Sequence, residues 1–247
     1  MKHEALLLGL YGGAILALLT AIGGLIFLFA RHKSFIKNYF DADFFVGFML
    51  SASAFGLVLP AFIEMKEPGM LKFFGVAFSI FIGALILILL QTLFDRFSYL
   101  QVDQNKKSIA FFLAMAIHNL PEGLAAGASL SHAQTTHTFS LISAIGFQNV
   151  PEGFTTGLSL FALGIQPWLA FSGVLLTAVI ELFGGILGGL LNYQLNDFFP
   201  YILAFAGGAM MKIAIGEIFE KMTKYDLKNV FNKNFIIGFS LMMLLTI

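Results

Sequence analysis

The chain has 247 residues, 58% of them hydrophobic and only 11% charged, with fourteen Lys+Arg balancing fourteen Asp+Glu and no cysteine. Soluble domains carry about 25% charged residues, so these proportions, with a mean hydropathy of +0.88, exclude a water-soluble globular protein, a disordered chain and a nucleic-acid binder. The missing cysteines remove disulfides, thiolate metal sites and thiol nucleophiles, and a polytopic membrane protein remains.

A spanning helix needs about 20 apolar residues. Residues 5–30, 44–63 and 73–94 are three runs without a charge. The first is far longer than the roughly 7–15 residues of a signal core and reads as a span. A fourth run, 108–131, is interrupted by His118 and Glu122, and a fifth, 138–163, by Glu152 alone. Gln166 and Pro167 break the chain before a sixth run, 167–191, which contains Glu181. The seventh, 200–220, carries Lys212 and Glu217. The eighth, 235–247, has thirteen residues and reaches only about 20 Å. Either residues 232–234 extend it, or it lies in a thinned or protein-shielded part of the bilayer.

Lys and Arg in short loops set orientation. The loops after spans one, three, five and seven hold ten of them: Arg31, Lys33, Lys37, Arg96, Lys106, Lys107, Lys221, Lys224, Lys228 and Lys233. The other side holds Lys2, Lys66 and Lys72. Both termini are therefore expected on the outer, periplasmic face of a bacterial inner membrane. The short loops leave no room for an extramembrane domain, so residues 1–247 read as one all-α membrane domain of eight helices.

An internal repeat interrupts spans four and five. His118-Asn-Leu-Pro-Glu-Gly-Leu-Ala-Ala-Gly-Ala-Ser-Leu130 matches Gln148-Asn-Val-Pro-Glu-Gly-Phe-Thr-Thr-Gly-Leu-Ser-Leu160 at seven of thirteen positions. A glutamate at the bilayer centre costs at least about 2.5 kcal/mol and is rarely idle. His118 and Glu122 are four residues apart, as are Gln148 and Glu152, which puts each pair on one helix face. Asn119 and Asn149 lie beside those faces. Pro121 and Pro151 leave the carbonyls of Ile117 and Phe147 without an amide partner and bend each helix. Gly123, Gly127, Gly153 and Gly157 permit close helix approach. Glu181 adds a third carboxylate. Carboxylates without cations would repel one another, and imidazole plus carboxylate suits Zn²⁺, Fe²⁺, Mn²⁺ or Cd²⁺ better than Na⁺ or K⁺.

These motifs resemble the ZIP (Zrt/Irt-like) divalent-metal transporters. The glutamine that heads the second motif is similar to the GufA-like bacterial branch. Gly47-Phe-Met-Leu-Ser-Ala-Ser-Ala-Phe-Gly-Leu-Val-Leu-Pro60 resembles the family's second span, and Ala204-Phe-Ala-Gly-Gly-Ala-Met210 its seventh. The resemblance implies Met49, His118, Glu122, Gln148 and Glu152 around a first metal. It implies Asn119, Asn149 and Glu181 at a second, with Glu122 and Glu152 bridging. It also implies inward metal transport by an elevator-like slide of a metal-carrying helix block. The chain departs from the family pattern at Leu182, where proline is usual, at Gly216 and Glu220, and at Lys212, a position usually uncharged.

Outside the repeat, Lys212 is expected to pair with Glu217 or to snorkel toward the cytoplasmic interface. Glu217 reads as an exit ligand or a solvated end charge. His132 and His137 are expected as solvated loop histidines, and Asp41, Asp43, Glu64 and Glu67 as interfacial charges. The leading function is a secondary transporter of divalent metal, zinc foremost. The metal is cargo, no cofactor is expected, and the partners are the metal ion and the bilayer. A homodimer is compatible with the sequence and not fixed by it. A proton or monovalent-cation carrier using the same carboxylates is the alternative. An intramembrane metalloprotease fits poorly, because the His-Glu-x-x-His helix of that class is absent, and the chain is not expected to be an enzyme.

Overall fold

In a computed structural model the chain is described over residues 2–30, 42–65, 69–99, 104–132, 136–224 and 231–246. The charges expected at Arg31, Lys33, Lys37, Asp41, Lys66, Glu67 and Lys228 lie outside these residues. The described residues form eight helices: α1 Lys2–Ala30, α2 over residues 42–63, α3 Met70–Tyr99, α4 Gln104–His132, α5 Thr136–Ala162, α6 Pro167–Gln194, α7 Phe199–Lys224 and α8 Lys233–Thr246. Each expected span falls on one of them. Helices α1, α2, α3, α6 and α7 are long and apolar enough to cross a membrane on their own composition. Helices α4 and α5 match them in length, at 29 and 27 residues, but the polar repeat dilutes their hydropathy.

Helix ends follow local chemistry. Helix α5 stops where Gly164 takes a φ of 89°. The amide of Ile165 bonds to the carbonyl of Leu160 at 3.1 Å, and that of Gly164 to Phe161 at 2.9 Å, a glycine-terminated cap that closes the last turn. Helix α8 does not extend through Asn232. The side chain of Asn232 instead caps it, its Oδ1 accepting from the amides of Asn234 at 3.0 Å and Phe235 at 3.1 Å. Its other end donates to Asp43 Oδ2 at 2.6 Å, and Lys221 donates to Asp43 Oδ1. Asp43 is thus more than an interfacial charge: it ties together the ends of α2, α7 and α8. The fourteen residues of α8 rise only about 21 Å.

Helix α2 widens into π geometry over Ala52–Val58, where the amide of Leu59 bonds back to Ala54. Pro60 follows directly. It has no amide to donate and its ring crowds the preceding turn, so the ladder is displaced by one residue just above Met49.

The helices pack as two groups, each joined by glycine seams. In the first, α1, α4, α5 and α6 meet backbone to backbone: a Cβ on Gly127 would lie 2.0 Å from the carbonyl oxygen of Gly185, one on Gly13 2.6 Å from that of Glu181, and one on Gly153 2.1 Å from that of Thr20. Small residues allow this approach in a membrane, where dispersion contact and not water exclusion holds helices together. In the second group, Gly83 and Gly208 join α3 to α7, and Gly47 and Gly238 join α2 to α8. The groups face each other across bulkier side chains, including Leu57, Leu130, Ile142, Phe199, Leu203 and Met210. On the outward face of α3, Phe73, Phe74, Phe78 and Phe81 are exposed.

Candidate metal centre

The repeat brings its two faces together where α4 and α5 cross. Both helices run unbroken through Pro121 and Pro151. The polar residues beside each proline face two ways: Asn119 and Asn149 bond to Glu181 within the first helix group, and His118, Gln148 and Glu152 line a cavity shared with α2, α3 and α7. His118, Glu122 and Glu152 each offer a ligand atom within 4.8 Å of the others. The His118 Nε2 atom lies 3.6 Å from Glu122 Oε1 and 3.6 Å from Glu152 Oε2. Gln148 Nε2 donates to Glu122 Oε1 at 2.8 Å. Such separations suit atoms sharing one ion at about 2.0–2.2 Å each.

A second cluster adjoins the first. Glu181 is fully buried on α6. Its Oε1 accepts from Asn119 Nδ2 at 2.5 Å, from Asn149 Nδ2 at 3.0 Å and from the Thr20 hydroxyl at 2.7 Å. Asn149 Nδ2 also reaches Thr20 Oγ1 at 3.2 Å. The three carboxylates are near enough to repel one another.

Every chain-internal hydrogen bond leaves ligating atoms over. His118 Nε2, Glu122 Oε2, Glu152 Oε1, Glu181 Oε2, Gln148 Oε1, Asn119 Oδ1 and Asn149 Oδ1 are buried with no hydrogen-bond partner among the described residues. An unpartnered buried polar atom costs about 1–3 kcal/mol, more when charged. A cluster made almost wholly of acceptors, with three carboxyl groups, fits a divalent cation.

The His118 cluster forms the floor of a cavity of about 430 Å³ that also has Met49, Gln148 and Glu152 in its wall. The cavity runs past Thr155, Ser159, Phe45 and Glu217 toward the start of α2 and the ends of α5 and α7. The start of α2 and the end of α7 adjoin sequence rich in Lys and Arg, whereas the turn after α5 has neither. On the opposite side of the cluster the two helix groups are packed shut. There His132 is not a loop residue but the last residue of α4. Its ring stacks on Phe199 with centroids 3.9 Å apart and lies 3.9 Å from Glu64 Oε2. His137, likewise expected in a loop, falls in the first turn of α5.

All eight residues expected around the metal therefore lie in two adjoining clusters or, for Met49, in the cavity wall. Two partners were not legible beforehand. Thr20 stands in the apolar stretch of α1, and such hydroxyls commonly bond to their own helix. Gln91, in the same cavity wall, accepts a hydrogen bond from Lys212. That pairing depends on the register of α3 against α7, which no local pattern reports.

A family model described as ZIP Zinc transporter matches residues 101–246. The chain is 32% identical over 219 residues to the zinc transporter GufA of Myxococcus xanthus, covering 85% of this chain and 86% of that protein. It is similar to zinc transporter ZIP11 of Homo sapiens, 36% identical over 141 residues, 55% of this chain and 41% of that one. The ZIP11 of Xenopus tropicalis is 34% identical over 148 residues, 58% of this chain and 44% of that one. The repeat thus sits in a matched region that runs from the start of α4 to the end of α8, and the likeness to GufA extends over most of the chain. On these grounds the chain belongs to the ZIP family of zinc transporters and is an integral membrane protein of metal-ion transport.

Proposed function

We propose that the chain, as one membrane domain over residues 1–247, is a secondary transporter that carries divalent transition metal into the cytoplasm. Zinc is the foremost cargo, with iron, manganese and cadmium as chemically admissible ones. The observation that carries this reading is the knot of seven unpartnered ligand atoms, of whose residues His118, Gln148 and Glu152 line a cavity open at one end. His118, Glu122, Gln148 and Glu152 hold the transported ion, with Met49 as a soft neighbour. Asn119, Asn149 and Glu181 form a second position beside it.

The open end adjoins the Lys- and Arg-rich loops, which the positive-inside rule assigns to the cytoplasm. The closed end lies under His132, Phe199 and Glu64. This arrangement supports the reading of an ion site facing inward. Helices α1, α4, α5 and α6 carry nearly every proposed ligand and pack through backbone seams, so they move as one body. Helices α2, α3, α7 and α8 supply the wall against which they slide. Inward movement of a +2 ion under 100 mV is favourable by roughly 4.6 kcal/mol, and the sequence carries no nucleotide-binding motif to supply another source.

Uptake of radioactive zinc, cadmium and rubidium into vesicles loaded with the purified chain tests this. Zinc or cadmium should enter and rubidium should not. Rubidium entry without zinc entry would favour the monovalent-cation reading of the same carboxylates.

Lys212 has a place in this reading as part of the wall. Its hydrogen bond to Gln91 joins α7 to α3. Lys212→Ala should leave the number of metals per chain unchanged by elemental analysis. It should lower thermal stability by about 1–3 kcal/mol, because Gln91 loses a charged donor. An additional bound metal would show instead that the ammonium competes for the second position.

A further inference from the structure

Many hydroxyls in these helices bond to a carbonyl one turn back, among them Ser53 to Met49, Ser79 to Gly75, Thr92 to Ile88, Ser172 to Trp168 and Thr246 to Met242. Thr20 does otherwise. It is 1% exposed, and its hydroxyl proton goes across to Glu181 Oε1 on α6, while its oxygen accepts from Asn149 on α5. Glu181 Oε1 then has three donors, which saturates it, since Asn119 and Asn149 supply the other two.

This arrangement decides what remains. With both amide nitrogens turned to Oε1, the amide oxygens of Asn119 and Asn149 are left over, together with Glu181 Oε2, and all three are buried without a partner. We propose that Thr20 is a positioning residue which pins Glu181 by one oxygen, and thereby fixes an all-oxygen, singly charged set of three ligands at the second position. Carboxylate and carbonyl oxygens suit harder ions such as Mn²⁺, whereas the imidazole of the His118 cluster suits Zn²⁺. Thr20 therefore tunes which ion the second position takes, without being a ligand. The inference rests on the two-position reading of the site given above.

The consequence of losing such an outer partner is typically a 10–100-fold loss of metal affinity. The test uses the full chain in detergent with its first position filled by zinc, titrated with Mn²⁺ and followed by the electron paramagnetic resonance signal of the free ion. The native chain should bind one Mn²⁺. Thr20→Val keeps the shape and removes the hydroxyl. It should lower the ratio of Mn²⁺ to Zn²⁺ affinity at least tenfold, and Thr20→Ser should restore that ratio to within about twofold. A merely structural role would weaken both ions together. If Thr20→Val does not fold, Thr20→Cys, a weak donor of similar size, should fall between the native and serine values on one side and no binding on the other. No Mn²⁺ bound by the native zinc-loaded chain, an unchanged ratio in Thr20→Val, or a Thr20→Ser ratio as low as valine's would each overturn the proposal. Failure of the underlying site reading shows separately, as zinc uptake that survives Glu152→Ala.

Discussion

Glu152→Ala is expected to reduce zinc uptake at limiting metal by at least a hundredfold, the upper end of what removing even an outer partner does. The reason is position. Glu152 reaches into the cavity floor, 3.6 Å from His118, and its Oε1 has no partner among the described residues. Its removal takes away a ligand and strands no buried donor. The variant should therefore insert and run as a monodisperse species on size exclusion while failing to load vesicles. Glu122→Ala is a less clean experiment, because Gln148 donates to Glu122 and would be left unpaired. Near-native zinc or cadmium uptake by Glu152→Ala would sink the assignment of the His118 cluster.

The second large effect is that of pH. Metal ligands must be deprotonated, so each bound ion displaces protons and the two compete. The apparent affinity for zinc should fall as the loading side is acidified and recover as it is made alkaline. The slope is up to tenfold per pH unit for each proton displaced. The measurement should span about pH 5 to pH 8, the range in which an ordinary imidazole changes charge. Half-saturation measured across that range in vesicles checks the sign and the slope. A flat profile would mean that the rate-determining ion site lies elsewhere.

The parts of the molecule legible in the sequence were those where chemistry contradicts its surroundings. A glutamate amid apolar residues is conspicuous, and two such residues in matched frames, His118-to-Glu122 and Gln148-to-Glu152, mark the centre directly. The eight helices were visible for the same reason, since polar loops interrupt apolar runs. What escaped was set by register between helices. Thr20 and Gln91 look unremarkable along the chain and gain their partners only when α1 meets α6 and α3 meets α7. His132 was placed in a loop because polar residues follow it, yet stacking on Phe199 holds the last turn of α4. The limits of α8 depended on whether Asn232 continues a helix or starts one. Its side chain settles that by capping.

The tandem motif has a consequence in symmetry. Helices α4 and α5 are consecutive, antiparallel and joined by a short connection, and they carry the same motif at the point where they meet. A half-turn about an axis lying in the plane of the membrane exchanges them. Under that operation Asn119 maps onto Asn149, Pro121 onto Pro151 and Glu122 onto Glu152, and the two asparagines duly converge on one acceptor. Among the candidate ligands the operation fails at one pair, where His118 maps onto Gln148. One half presents an imidazole nitrogen, and the other an amide whose NH₂ is spent on Glu122. A perfectly two-fold centre would offer an ion the same environment from both faces of the membrane. The histidine–glutamine mismatch makes the two approaches to the centre chemically unequal.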